Sequence, residues 1–350
     1  MTRMTMKNIA ELAGVDKSIV SKVINGVKNI PASREKVARV RTIIKEYNYT
    51  PLSSAKSLAT NRTQQLAFLL SSSTEALYAS PAFGQMFSGV VRACREHHYQ
   101  CQADICDFSD IKRFVMPDNM KKRSIDGCIL AGNISDESFG RIAALDIPLV
   151  VLGGEYISDR VPALTWNSYA EFAKIFELFL AMGHRHIWCG NDSENFRKRL
   201  KQLRPESSRL QIEIIKRAEN DEIKCGRNCA DHFAQLSAAE RPTLIWGCDQ
   251  FCCAFISQLA TYGLRCPDDV SVLSSSETEM AACCNPPLST YSVNFFDMGY
   301  RGGELMLEIL QKNLASQEAI KLARNYIMEG EYIDRNSIHK INEYLILNIN

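Results

Sequence analysis

The sequence predicts a small all-α helix-turn-helix head joined to an α/β body of two doubly wound parallel-sheet lobes. Charge divides the chain first. Residues 1–62 hold twelve Lys/Arg against four Asp/Glu, a balance of +8, which leaves −7 for the remainder of a chain whose net charge is +1. Within that basic stretch, apolar residues recur at helical spacing on either side of a glycine-containing turn. From Leu66 onward, short apolar runs alternate with amphipathic stretches, the texture of a parallel sheet covered by helices. A basic head on an acidic body is the footprint of a nucleic-acid-binding module fused to one of another kind.

In the head, Thr5 is placed to cap a first helix whose buried stripe is Ile9, Leu12 and Ala13. Gly14 follows, where a helix needs a left-handed stop. Asp16 can cap a second helix with Ile19, Val20, Val23 and Ile24 inside, and Asn25-Gly26 ends it. Its polar face displays Lys17, Ser18, Ser21, Lys22 and Asn25. The second helix of a helix-turn-helix enters the major groove with its early residues at base edges. Lysine donates to guanine acceptors and serine takes either role, so Lys17, Ser18 and Lys22 are the base-reading candidates. Ser21 and Asn25 suit phosphate contact or a structural role. Residues 51–63 are small and polar, too short to hold a helix unaided, with Ala55 and Leu58 three apart.

In the body, the strand candidates are LAFLL (66–70), QCQADIC (100–106), GCILAG (127–132), PLVVLGG (148–154), HIWCG (186–190), TLIWGC (243–248) and VSVLSS (270–275). Helical stretches are expected at 84–97, 110–123, 168–182, 226–239, 250–263 and 298–312. About 270 residues of this alternation suggests two similar lobes. Open α/β sheets bind ligands at the carboxyl ends of their strands. That rule selects Ser72, Phe83, Asn133, Asn191 with Arg197, Asp249, and Ser276-Glu277 as the ligand-facing set.

The runs TMKNIAELAGVDKSIVSKVING and YTPLSSAKSLATNRT closely resemble the N-terminus of lactose-repressor (LacI/GalR) family regulators. Thr5, Asn8, Ile9, Ala10, Ala13, Gly14, Val15, Val20, Ser21, Val23, Asn25, Tyr49, Pro51, Ala55 and Leu58 carry the pattern. The resemblance continues through SIDGCIL, IPLVVLGG, AMGHRHIWCGN and GCDQFCCAFISQLATYGLRCPDDVSVL to NPPLST, covering residues from about 5 to 337. It implies a body of periplasmic-binding-protein type with a small-molecule effector in the cleft, and Arg197 at the position that grips it. It also implies a hinge helix over 51–63 whose Leu58 wedges into the minor groove and bends the duplex. The DNA-facing set is then Thr5, Lys17, Ser18, Ser21, Lys22, Asn25, Ala55 and Leu58. Departures are Asp16 beside a phosphate position, Lys22 in place of a forked arginine, and Leu52 after Pro51. In the body, Cys248-Asp249 and Ser274–Glu277 depart from the familiar sugar-holding groups, which points to an altered effector.

The expected organisation is 1–50 helix-turn-helix domain, 51–63 hinge, 64–337 two-lobed effector-binding and dimerisation domain, and 338–350 tail. Expected partners are a near-palindromic double-stranded DNA operator, a small-molecule effector of carbohydrate-related kind, and a second copy of the chain. The N-terminus lacks a signal-like apolar run, no stretch is long enough to span a bilayer, and the expected location is the cytoplasm, on the nucleoid. No cofactor and no metal site is expected, and the chain is not read as an enzyme. Thirteen cysteines, vicinal at Cys252-Cys253 and Cys283-Cys284, form no paired CxxC knuckles and read as reduced, mostly buried thiols. No GxGxxG follows the first strand, and neither GxxxxGK[ST] nor GxSxG occurs. The alternatives are a constitutive DNA binder without effector, or a sugar- or nucleotide-processing enzyme with a DNA-binding head.

Overall fold

The computed structural model describes residues 4–50, 62–71, 81–108, 110–132, 134–153, 159–166, 168–191, 194–203, 209–216 and 221–341. The chain parts into two compact units, Met1–Gln64 and Gln65–Asn350.

Three helices build the first unit: α1 (Met6–Ala13), α2 (Lys17–Ile24) and α3 (Arg34–Glu46). A reciprocal cap starts α1. The Thr5 hydroxyl accepts from the Asn8 N–H at 3.2 Å, and the Asn8 carboxamide oxygen accepts from the Thr5 N–H at 3.0 Å. Gly14 stops the helix at φ 63°, a left-handed conformation that glycine adopts without steric cost. The Asp16 carboxylate then accepts from the Ser18 N–H at 3.4 Å and opens α2. Ile9, Ala10, Ala13, Ile19, Val20, Val23, Val40 and Ile43 close the core. Leu12, expected inside, is 48% exposed. The buried arc of this eight-residue helix runs through positions 9, 10 and 13, and Leu12 falls outside it.

Strands of the second unit, in chain order, are β1 (Gln65–Ser71), β2 (Gln100–Cys106), β3 (Gly127–Gly132), β4 (Leu149–Leu152), β5 (Ala163–Trp166), β6 (His186–Cys189), β7 (Gln211–Ile214), β8 (Leu244–Gly247), β9 (Ser271–Ser274), β10 (Ser289–Val293), β11 (Ile327–Met328) and β12 (Gly330–Ile333). Its helices are α4 (Pro81–Glu96), α5 (Asp118–Lys121), α6 (Asp136–Ala143), α7 (Ser168–Ala181), α8 (Glu194–Gln202), α9 (Glu222–Gln235), α10 (Asp249–Leu259), α11 (Glu279–Cys283), α12 (Phe295–Lys312) and α13 (Ser316–Ala323). They form two six-stranded sheets of matching topology, ordered β11-β5-β4-β3-β1-β2 and β12-β10-β9-β8-β6-β7. The pairings are parallel except that β12 runs antiparallel to β10. Each sheet is covered on both faces, which explains the continuous apolar runs. In β1, Leu66, Phe68 and Leu70 enter one core while Ala67 and Leu69 enter the other.

The chain crosses between lobes three times: from β5 to α7, from β10 to α12, and from β11 to β12. Glu171 of α7 ties all three passages together. Its buried carboxylate accepts from the Tyr291 hydroxyl of β10 and from the Gly330 N–H of β12, both at 2.8 Å. Helices α4 and α12 pack backbone to backbone at Gly89 and Gly299. A Cβ on Gly89 would overlap Phe296 O and Tyr300 N, and one on Gly299 would overlap Met86 O.

Two expectations for the body are corrected. The helix at 110–123 reduces to the four residues of α5, because Pro117 fixes its own φ and biases Met116 away from helix. QCQADIC is a strand but not a buried one. As β2 it lies at the sheet edge with most of its residues exposed. Residues 338–341 stay attached to the second lobe: Ile338 is buried, the His339 N–H donates to Ser271 Oγ at 3.0 Å, and the Ile341 N–H donates to Met182 O at 2.8 Å.

Candidate functional sites

In the head, α2 presents Lys17, Ser18, Ser21, Lys22 and Asn25 at i, i+1, i+4, i+5 and i+8, one side of a helix. Lys17, Ser18 and Asn25 are exposed, while Ser21 and Lys22 are half-buried. Ile19, Val20 and Val23 hold the opposite side in the core, so packing of the apolar stripe aims the polar one outward. Ser21 and Asn25 engage each other, the Asn25 carboxamide donating to Ser21 Oγ at 3.4 Å. The Thr5 hydroxyl donates to Asn8 Oδ1 at 2.5 Å and so serves the cap of α1 while remaining exposed. The carboxylate of Asp16 occupies the positive end of α2, where an anion is favourable.

An open groove of about 900 Å³ runs along the turn and is lined by Lys7, Glu11, Asp16, Lys17 and Lys36 among others. Lys7 and Lys36 had no distinguishing pattern in the sequence beyond the basic balance. Packing of α1 and of α3 around α2 brings them to the same groove as Lys17. Ala55 and Leu58 lie outside the described residues, as do Ser72 and Asn133 of the body.

In the body, the strand order reverses direction around β6 and β8, the place where an open α/β sheet leaves a crevice at its carboxyl edge. Asn191 follows β6 and is exposed, its N–H 3.5 Å from Cys189 Sγ. Arg197 is half-buried on α8. Asp249 opens α10 at 3% exposure; its carboxylate accepts from the Gln250 N–H at 2.8 Å and from the Thr278 hydroxyl. Ser276 is folded into a closed turn, its N–H donating to Ser274 Oγ at 3.1 Å and its carbonyl accepting from the Ser274 hydroxyl at 2.9 Å.

Glu277 receives a forked pair from Arg335 at 2.6 and 2.9 Å and a hydroxyl from Thr290 at 2.5 Å. Partial burial pushes this carboxyl up, but the Arg335 and Thr290 hydrogen bonds and the Arg335 charge outweigh it and hold it below the ordinary range. Across the lobes, the Gln85 carboxamide of α4 donates to Glu277 O at 3.2 Å, so the carboxyl edges of the two sheets face each other. Phe83, in the first turn of α4, is half-buried and packs against the first lobe's core.

The structure thus gathers Asp249, Ser276 and Glu277 at one edge and adds Gln85, Thr278, Thr290 and Arg335, which sequence reasoning missed. Arg335 lies 58 residues from Glu277, and nothing local to either residue marks the pair.

A three-helix basic head and a two-lobed body crossed three times define a DNA-binding regulator with a periplasmic-binding-protein-like body. Residues 5–52 match the bacterial regulatory proteins of the lacI family, and residues 176–338 match the periplasmic binding protein-like domain. Residues 5–52 are thus a lacI-family helix-turn-helix, carried on a chain that also holds a periplasmic-binding-protein-like domain. It is 26% identical over 355 residues to the ribose operon repressor of Haemophilus influenzae, covering 96% of this chain and 99% of that one. It is 28% identical over 351 residues to the HTH-type transcriptional repressor PurR of Vibrio parahaemolyticus, covering 97% and 99%. Among solved structures it is similar to the lac repressor dimer bound to operator and the anti-inducer ONPF. The TM-score is 0.77 at 20% identity, covering 97% of this chain and 100% of that one. The transcriptional regulator CelR–cellobiose complex follows the same fold, with TM-score 0.61, 19% identity, and 96% and 100% covered.

Proposed function

We propose that this chain is a homodimeric transcriptional repressor that reads a near-palindromic operator through α2, its affinity set by a small molecule held between the lobes. The observation that carries this reading is the outward polar side of α2, with Lys17, Ser18 and Lys22 mounted on a head of +8. We assign residues 1–50 to DNA binding, 51–63 to the hinge and 64–337 to effector binding and pairing, with 338–350 as a tail. The site is cytoplasmic in this reading; no helix of the described residues is long and apolar enough to cross a membrane.

An effector shifts DNA affinity only if it binds the competent and incompetent lobe arrangements unequally. Couplings of this kind are worth roughly 1–3 kcal/mol. The Gln85–Glu277 bond and the triple tie at Glu171 are the described contacts that such a rearrangement would load. We assign the effector to a carbohydrate-related class, in line with the ribose operon repressor and the cellobiose complex among the relatives. Asp249 and Glu277 already have partners within the chain. An effector therefore meets a cleft whose Asp249 and Glu277 carboxylates are already engaged, and we keep Asn191 and Arg197 as its candidate contacts.

Genome-wide footprinting tests the first half: a two-fold symmetric site is expected, and scattered binding without a shared motif would refute operator recognition. Calorimetric titration of carbohydrates suggested by the neighbouring genes tests the second. DNA binding unaltered by every one of them would favour a constitutive binder.

A further inference from the structure

Cys253 and Cys284 are separated by 31 positions yet meet at one carbonyl. Met280 O accepts the Cys253 thiol at 3.8 Å and the Cys284 N–H at 3.0 Å. Both side chains pack against the same core of the second lobe. Both are half-buried, and Cys283 beside them is exposed, so a small solute can reach the pair. All thirteen cysteines are free thiols in this structure.

The position of the pair matters as much as its contact. Cys253 stands one helical turn after Asp249 on α10, and Cys284 ends α11, directly beyond the loop that bears Ser276, Glu277 and Thr278. Asp249 and Thr278 are already joined by a hydrogen bond. A bond between the two sulfurs would fasten the same two elements a second time, covalently. We propose that Cys253 and Cys284 are a redox-active dithiol that closes to a disulfide under a hydroperoxide oxidant, clamping the Ser276–Thr278 loop to α10.

The Cys253 thiol donates its proton to Met280 O, whereas the neighbouring Cys253 holds the Cys284 thiol below its ordinary range in spite of burial. Cys284 is therefore the attacking sulfur and Cys253 the resolving one. In the first step the Cys284 thiolate attacks a peroxide oxygen. An S–O bond forms, the O–O bond breaks, and the hydroxide that leaves is protonated to water. The sulfur loses two electrons and becomes a sulfenic acid. In the second step the Cys253 sulfur attacks it, the S–S bond forms, the S–O bond breaks, and the departing hydroxide takes the Cys253 proton as a second water. Two thiols and one hydrogen peroxide thus give one disulfide and two waters. A thiol reductant reverses the bridge by exchange.

Cys94 and Cys101 are a second candidate pair, but Cys94 is 1% exposed in the first lobe's core and only Cys101 is partly accessible. That pair is the internal competitor.

The test uses the full chain, reduced, freed of reductant and treated with hydrogen peroxide. Two of the thirteen thiols per chain should disappear, return with dithiothreitol, and map by fragment-ion mass spectrometry to a Cys253–Cys284 bridge. Cys253→Ser should instead accumulate a dimedone-reactive sulfenic acid on Cys284, and Cys253→Ala should do the same if serine disturbs packing. A bridge at Cys94–Cys101, a bridge between chains through Cys283, or equal thiol loss in wild type and Cys284→Ser would overturn the proposal. The consequence for regulation rests on the proposed effector site: the oxidised protein should respond less to its effector. Bridge mapping does not depend on that, so a bridge without altered regulation would count against the effector site, not the dithiol.

Discussion

His184 follows α7 with its ring buried and Nδ1 3.0 Å from the Thr243 hydroxyl. Burial disfavours the charged ring and lowers its pKa from 6.5 to about 4. Between those values the unfolded chain binds the proton and the folded chain does not. Stability from neutral His184 is therefore complete above about pH 6.5 and declines as pH falls toward 4. On the order of 3 kcal/mol should be lost across that window. Urea denaturation at pH 7 and pH 4.5 should show the loss in wild type, and the difference should shrink in His184→Gln. At α2, Lys17→Ala and Lys22→Ala should each cost about 1–3 kcal/mol of discrimination between the operator and a site altered at the contacted base. Lys36→Ala, in the groove rather than on α2, should weaken binding to all sequences alike and lower the salt slope by about 1. Competition binding at several salt concentrations separates the two behaviours.

Among the elements, the α4–α12 pair depends most on its small residues. Gly89 and Gly299 let the two backbones touch, so a methyl group at either position forces the helices apart. Gly299→Ala should destabilise the body by roughly 1–3 kcal/mol, the ordinary cost of overpacking, or more if backbone must move. Thermal unfolding measures it, and an unchanged midpoint would mean that the helices can slide. Elements also show where a sequence reading fails. The long periodic stretches and buried strands were legible because burial on both faces or on one stripe leaves a pattern. Strands β5, β7, β10, β11 and β12 and helices α6, α8, α11 and α13 were not read. Each has nine residues or fewer, and buried β10 (STYSV) is built mostly of serine, threonine and tyrosine rather than an apolar run. Residues 110–123 had a helical rhythm, but Pro117 overrode it.

For the whole molecule, the pivotal feature is the convergence of three crossing segments on Glu171. Removing that carboxylate leaves the Tyr291 hydroxyl and the Gly330 N–H without their acceptor. Glu171→Ala should cost about 2–4 kcal/mol in urea denaturation, the sum of two stranded donors at 1–2 each. Glu171→Gln keeps an acceptor oxygen and should recover part of it. In the full-length protein the same substitutions should alter how strongly an effector changes operator affinity, because they act where the crossing segments meet. Equal coupling in wild type and Glu171→Ala would show that the crossings carry no such signal.

Local pattern alone was enough for the head: charge balance, two capped helices, a left-handed Gly14 and an outward polar side of α2 are all short-range features. It was also enough for the strand–helix alternation and for the carboxyl-edge rule that selected Asp249 and Glu277. The partners of those carboxylates were not legible. Thr278 lies 29 positions from Asp249, Arg335 lies 58 from Glu277, and Gln85 comes from the opposite lobe 192 positions away. The Cys253–Cys284 contact belongs with them. Periodicity and capping act within one turn or one strand, whereas these contacts exist only once two sheets have closed and the chain has crossed between them.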